Sequence, residues 1–176
     1  MKLEGKKVLL VIPHTQFRDE EFFETAKILK DEGAQVIVAS TSVRTCYGMK
    51  GGTVQADISI AEAKADDYAG VVLCGGSSVP EVFWNDKKLI ELVTAVGAAG
   101  KVVAAICLST VVLAKAKLLT DREATVYYLP AALEELKAAG AKYVKETLLI
   151  HNNIILAEGP PDSQRFGQAI RAALAG

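Results

Sequence analysis

Lys101-Val-Val-Ala-Ala-Ile-Cys107-Leu-Ser-Thr-Val-Val-Leu-Ala-Lys115 is the stretch that decides the fold. Lys101 to Ile106 is a short apolar run suited to a parallel strand buried on both faces, and from Leu108 onward the apolar residues take helical spacing. Cys107 stands where strand becomes helix. A thiol at a helix start meets free backbone N–H groups and the positive end of the macrodipole, both of which favour an anion. Such a setting is expected to lower a cysteine pKa from ~8.5 to roughly 3.5–7.5, and the thiolate is the nucleophilic form.

Outward from this corner, strand and helix signals alternate. Lys7 to Pro13 is a continuous apolar strand. Asp19 to Glu32 is helical, with Phe22, Ala26 and Leu29 on the buried stripe and Gly33 as its C-cap. Ala34 to Ser40 is the next strand, and the glycine-punctuated region Arg44 to Ile60 reads as a small β-hairpin extension. Ala69 to Cys74 is a further buried strand running into Gly75-Gly76-Ser77-Ser78. Asp86 to Ala99 is helical with Leu89, Ile90, Val93 and Val96 inward. Pro130 to Ala139 forms a short helix, Thr147 to Ala157 pairs about an Asn152-Asn153 turn, and Asp162 is expected to cap the last helix. Apolar strands alternating with helices give an α/β domain with a mostly parallel sheet covered on both faces. Ligands in such folds gather at the carboxyl ends of the strands. His14, Gly75-Gly76 and Cys107 all follow strand ends and are expected on that one edge.

The 176 residues suit a single domain, 1–176, that is 51% hydrophobic and 23% charged with formal net charge −1. No basic cluster interleaved with aromatics points to nucleic acid. No apolar run is long enough for a bilayer, and Met1-Lys-Leu-Glu-Gly-Lys-Lys7 leads directly into a strand rather than into a secretory leader. Three widely spaced cysteines, Cys46, Cys74 and Cys107, without Cys-x-x-Cys, suit free thiols in a reducing cytoplasm. Cys74 reads as packed and Cys46 as exposed and oxidisable. His14 and His151 share no metal-ligand spacing with the cysteines, so neither a metal nor another cofactor is expected.

Around Cys107 the sequence supplies few partners. Gly75-Gly76 permits close backbone approach, so that Gly76 N–H, with Leu108 N–H, can form an oxyanion hole, with Gly75 auxiliary. Glu21 leaves the solvated Glu20/Glu24/Lys27/Asp31 stripe and lies beside the apolar face, where a carboxyl group needs a partner or a raised pKa. His14 is the histidine expected near the edge and is the auxiliary base candidate. His151 reads as a solvated hairpin residue.

Taken in order, these pieces resemble the ThiJ/PfpI superfamily, which includes the parkinsonism-associated deglycase, bacterial stress proteins, glyoxalase III enzymes and PfpI-type peptidases. The opening strand followed by Phe17-Arg-Asp-Glu-Glu21 is similar to its glutamate-bearing helix. Val72-Leu-Cys-Gly-Gly76 resembles its strand ending in Gly-Gly, Val103-Ala-Ala-Ile-Cys107 its nucleophile elbow, and Glu158-Gly-Pro160 a recurrent turn at the site's edge. The resemblance implies a flavodoxin-like three-layer sandwich, Cys107 as reactive cysteine, Glu21 as its carboxylic partner, Gly76 and Leu108 as oxyanion donors, and a homodimer. The chain departs from the pattern at three points. Leu108 replaces the histidine that follows the cysteine in PfpI-type peptidases, Thr125-Val-Tyr-Tyr-Leu-Pro130 carries no histidine, and Glu158 stands where several relatives have arginine.

Without a histidine, chemistry must come from the Cys107–Glu21 pair. Two adjacent acids repel when both are ionised, so they are expected to hold one negative charge between them, on sulfur, with Glu21 protonated. The activity implied is glyoxalase- or deglycase-like, on a small aldehyde such as methylglyoxal or on glycated protein. Oxidation of Cys107 in a redox sensor or chaperone is the alternative, and a peptidase or amidase the third.

Overall fold

A computed structural model describes residues 1–176. In chain order the first elements are β1 (Lys7–Val11), β2 (Thr15–Phe17), α1 (Asp19–Asp31), β3 (Gln35–Ser40), β4 (Thr45–Gly48), β5 (Thr53–Gln55), β6 (Ile58–Ser59) and β7 (Gly70–Leu73). They are followed by α2 (Val79–Val82), α3 (Lys87–Ala98), β8 (Val102–Ile106), α4 (Thr110–Lys115), β9 (Glu123–Ala124) and α5 (Pro130–Ala138). The last are β10 (Lys142–Tyr143), β11 (Leu148–His151), β12 (Ile154–Ala157) and α6 (Ser163–Ala175).

The main sheet has seven strands in the order β11-β12-β8-β7-β1-β3-β6. All are parallel except the edge strand β11, which pairs antiparallel with β12 through the turn at Asn152, whose φ is 57°. The continuous apolar runs are explained by position: β7, β8 and β12 are buried at every residue, and β1 at all but Lys7. Helices α1 and α6 pack together, and α3, α4 and α5 form a second group, giving a flavodoxin-like α/β sandwich. Fully buried side chains such as Leu9, Leu10, Leu73, Ile106 and Phe166 each contribute about 1.5–3 kcal/mol relative to exposure. That burial fixes the strand ends on which the site stands.

The expected hairpin extension is β4–β5, antiparallel, with β2 parallel to β4 in a separate small sheet. Its tip is tied to α1, because the Asp19 carboxylate accepts the amides of Lys50 and Gly52, each at 2.8 Å.

Several local expectations are corrected. Cys107 is followed by one tight 3-10 turn, Cys107–Ser109, before the six-residue α4, so the helix is shorter than the apolar spacing implies. In α3, Leu92 joins Leu89, Val93 and Val96 in the core and Ile90 packs against it partly buried, while Asp86 caps the helix by accepting the Leu89 amide at 3.1 Å. Asp162 stands at the N-cap of α6 but accepts no helix amide. The chain enters through a 3-10 turn, Pro160–Asp162, and the Asp162 carboxylate instead faces Arg165 at 3.9 Å.

Candidate active site

Strands β8, β7 and β1 are neighbours, so Cys107, Gly75-Gly76 and His14 leave the sheet along the same edge. The corner at Cys107 is sharp, with φ at 64°, a left-handed conformation that side chains other than glycine's rarely adopt. Three contacts fix it. The Ser109 hydroxyl donates to Cys74 O at 2.7 Å, the Trp84 indole N–H to Leu108 O at 2.9 Å, and the Tyr127 amide to Cys107 O at 3.4 Å. Phe83-Trp84 is therefore packing beneath the corner.

Gly76, with φ at 144°, bridges to Phe17. A Cβ there would run into the backbone of Gln16 and stand 2.8 Å from Phe17 Cα, which only glycine avoids. This close approach brings the start of α1 onto the sheet edge, with Arg18 N–H donating to Gly75 O at 2.9 Å.

Glu21, in the first turn of α1, is fully buried. Its Oε1 accepts the Gly75 amide at 2.7 Å, and its Oε2 has no hydrogen-bond partner. Burial pushes its carboxyl pKa up to about 8, against the Gly75 amide and the Arg18 guanidinium, which pull it down. Glu21 is thus neutral at physiological pH, and Oε2 is free to carry the proton. A carboxyl group is expected to be acidic; here burial in the wall of the sandwich favours the protonated form.

Cys107 is 6% exposed. Burial pushes its thiol up, and the Glu21 carboxylate is the second cause; the amides of Leu108 and Gly76, then the Arg18 guanidinium, act in the other direction. The expected lowering is corrected in this respect: the amides of Leu108 and Gly76 pull the thiol down, but burial outweighs them. With Glu21 neutral below about pH 8, its repulsion is removed and the thiol is left with burial against three favourable partners. Glu21 and Cys107 converge over Gly75, where a Cβ would lie 2.6 Å from both Glu21 Oε1 and Cys107 Cβ.

Cys107 opens into a cavity of about 150 Å³ lined by Arg18, Met49, Gly76, Ser77, Cys107, Leu108, Tyr127 and Pro160. A wider cleft of about 590 Å³ adjoins it through Tyr127 and Pro160, and there Glu158 lies with Tyr128, Tyr143 and Lys145. The sequence reading missed Arg18, Met49 and Tyr127. The structure brings Cys107, Gly75, Gly76, Leu108 and Glu21 together at one end of the sheet.

His14 is not among the residues lining the cavity. Its Nδ1 pairs with Thr41 Oγ1 at 3.2 Å, and Thr41 follows β3, the neighbour of β1 on the side away from β7 and β8. His151 Nε2 contacts Glu123 O at 2.7 Å. Cys46 is buried, contrary to its expected exposure, because the alternation of β4 turns it inward between exposed Thr45 and Tyr47. Cys74 is buried as expected, its thiol directed at Glu21 O at 3.5 Å. All three thiols are free.

The model of the DJ-1/PfpI family matches residues 6–173. The chain belongs to the DJ-1/PfpI family. An uncharacterized protein of Methanocaldococcus jannaschii is 42% identical over 172 residues, 98% of this chain and 84% of that one. A deglycase of Pyrococcus abyssi is 30% identical over 154 residues, 88% and 91% of the two chains. Among solved structures, a ThiJ/PfpI domain protein from Brachyspira murdochii superposes with TM-score 0.91 at 29% identity, covering 97% of each chain. Drosophila melanogaster DJ-1beta does so with TM-score 0.85 at 26% identity, covering 97% of this chain and 91% of its own. In this DJ-1/PfpI chain Leu108 contributes its backbone to the site and its side chain to the cavity wall, while Glu158 lies in the outer cleft. No helix is long and apolar enough to cross a membrane.

Proposed function

We propose that this DJ-1/PfpI protein is a cofactor-independent, glyoxalase- or deglycase-like enzyme acting on α-oxoaldehydes or their early protein adducts through Cys107 and Glu21. One observation carries the reading: a buried carboxyl group with a free Oε2 converges over Gly75 with a cavity-lining thiol, whose cavity Gly76 and Leu108 also line. The family relative from Pyrococcus abyssi bears the name deglycase.

In this reading Sγ adds as thiolate to the aldehyde carbon. A C–S bond forms, the carbonyl π pair moves to oxygen near the Gly76 and Leu108 amides, and Glu21 gives that oxygen its proton. The Glu21 carboxylate then takes the C–H proton of the hemithioacetal as the neighbouring carbonyl oxygen gains a proton, giving an enediol. The proton returns to the adjacent carbon as the hydroxyl on the sulfur-bearing carbon loses its own, leaving a 2-hydroxy thioester. Water releases the 2-hydroxy acid and restores the thiol. The redox change stays within the substrate, one carbon being oxidised as its neighbour is reduced, so no oxidant is consumed. Purified protein is expected to convert methylglyoxal to lactate, with Cys107→Ala and Glu21→Gln at background. Lactate formation no faster than in buffer overturns the reading. The homodimer is part of this proposal, checked by sedimentation.

A second reading, redox sensing, is favoured by the contrast among the thiols. Cys107 lines a cavity, whereas Cys46 and Cys74 are buried in the fold. A sulfinate on Cys107 would find the same amides and the Glu21 proton. Peroxide should then add two oxygens at Cys107 before any at Cys46 or Cys74, read by peptide mass. A Cys–His peptidase gains no support, since neither histidine lines the cavity.

A further inference from the structure

The cavity wall holds one cation in contact with the space above sulfur. Arg18 lines that space with Cys107, Gly76 and Leu108. Its Nε and Nη2 grip the Glu20 carboxylate at 3.0–3.3 Å, which leaves Nη1 without a protein partner. Lys50 shares the same Glu20 carboxylate at 3.2 Å, so Glu20 is held by two cations, and its pKa is drawn down to about 2, first by Arg18. Asp19, next along, is turned to the hairpin amides. Glu21, the remaining acid, is neutral below about pH 8.

We propose that Arg18 is an anion anchor in the Cys107 cavity, so that the site selects small carbonyl compounds carrying a carboxylate beside the reacting carbon. The guanidinium plane presents its free Nη1 to a carboxylate oxygen while the adjacent carbonyl carbon stands at Sγ. A cavity of about 150 Å³ equals roughly five water volumes, room for a two- or three-carbon oxo acid and for little more. The covalent step is the addition already described: Sγ bonds to the carbonyl carbon, the π pair moves to oxygen, and Glu21 supplies the proton. This inference rests on the proposed thiolate chemistry at Cys107 but not on turnover.

Alkylation of Cys107 by iodoacetate and by the uncharged iodoacetamide tests it. Both reagents transfer a two-carbon group to sulfur with loss of iodide, and their rate ratio cancels any change in thiolate fraction. The ratio is expected to fall about tenfold in Arg18→Gln, the effect of one lost charge-assisted hydrogen bond, and to be largely retained in Arg18→Lys. Lys50 does not line the cavity, so Lys50→Gln should leave the ratio nearly unchanged. An unchanged ratio in Arg18→Gln, or an equal fall in Lys50→Gln, overturns the anchor. Methylglyoxal turnover read in parallel separates the two ideas. A shifted ratio without turnover keeps the anchor and removes the enzyme; turnover with an unmoved ratio does the reverse.

Discussion

Glu21 and Cys107, contributed by a helix on one face of the sheet and by the turn after β8, meet at the α-carbon of Gly75, where a Cβ would stand 2.6 Å from both Glu21 Oε1 and Cys107 Cβ. The carboxyl group is tied to the Gly75 amide through one oxygen and free through the other. Proton placement in this pair sets what the sulfur can do.

The first prediction concerns that proton. The thiol is pushed up from its ordinary range, so it ionises where Glu21, with a pKa of about 8, already carries charge, and Glu21→Gln should lower the pH midpoint of Cys107 alkylation. If Glu21 stayed a neutral donor over that range, replacing it with the weaker donor Gln would raise the midpoint instead. Iodoacetamide rates from pH 5 to 10 in both proteins decide the sign.

Stability should fall as pH rises. The folded pKa of Glu21, about 8, lies above its ordinary value of 4.5, so between these values the native state binds more protons than the unfolded chain. The contribution is whole below pH 4.5 and is lost as pH rises through about 8, an effect on the order of a few kcal/mol. Thermal midpoints of wild type should decline across this window, and those of Glu21→Gln should decline less. Parallel curves for the two proteins would refute the assignment.

Gly75→Ala places a methyl group 2.6 Å from both Cys107 Cβ and Glu21 Oε1. Overpacking of this kind costs about 1–3 kcal/mol, and it must push the pair apart. The variant should therefore lose Cys107 reactivity as well as stability, measured by alkylation at a temperature where circular dichroism shows it folded. Wild-type reactivity in the folded variant would show that the convergence has no chemical role.

Asp19→Ala removes the acceptor for the Lys50 and Gly52 amides. Part-buried hydrogen bonds to a carboxylate contribute about 1.5–3 kcal/mol, and the hairpin tip that carries Met49 to the cavity should loosen. Hydrogen exchange at those two amides should accelerate while that of β1 amides stays slow. Unaltered exchange at the tip would mean another contact holds it.

Much of this architecture was legible in the sequence because burial on both faces leaves a plain mark. Val102–Ile106 and Gly70–Leu73 are unbroken apolar or small runs, and Glu21 stands out as an acid off the polar stripe of its helix. Arg18, Met49 and Tyr127 left no such mark, since they reach the cavity from separate connections that no periodicity links. Cys46 was misplaced for a different reason. Its strand is short, and only the alternation Thr45 out, Cys46 in, Tyr47 out would have placed it. The direction of the thiol shift failed because a helix start is a local feature, whereas burial is set by chain segments far away in sequence.

The left-handed φ of 64° at Cys107 has a bearing on durability. Holding a branched α-carbon there opposes folding by roughly 1–3 kcal/mol, a tension that the surrounding sheet and the Ser109 and Trp84 contacts keep in place. A glycine at this corner would relax it, so the chemically dead protein is the one that should survive heating longest. The sulfur's presence is then a concession made by the scaffold to reactivity, and thermal resilience is no guide to whether a given copy still works.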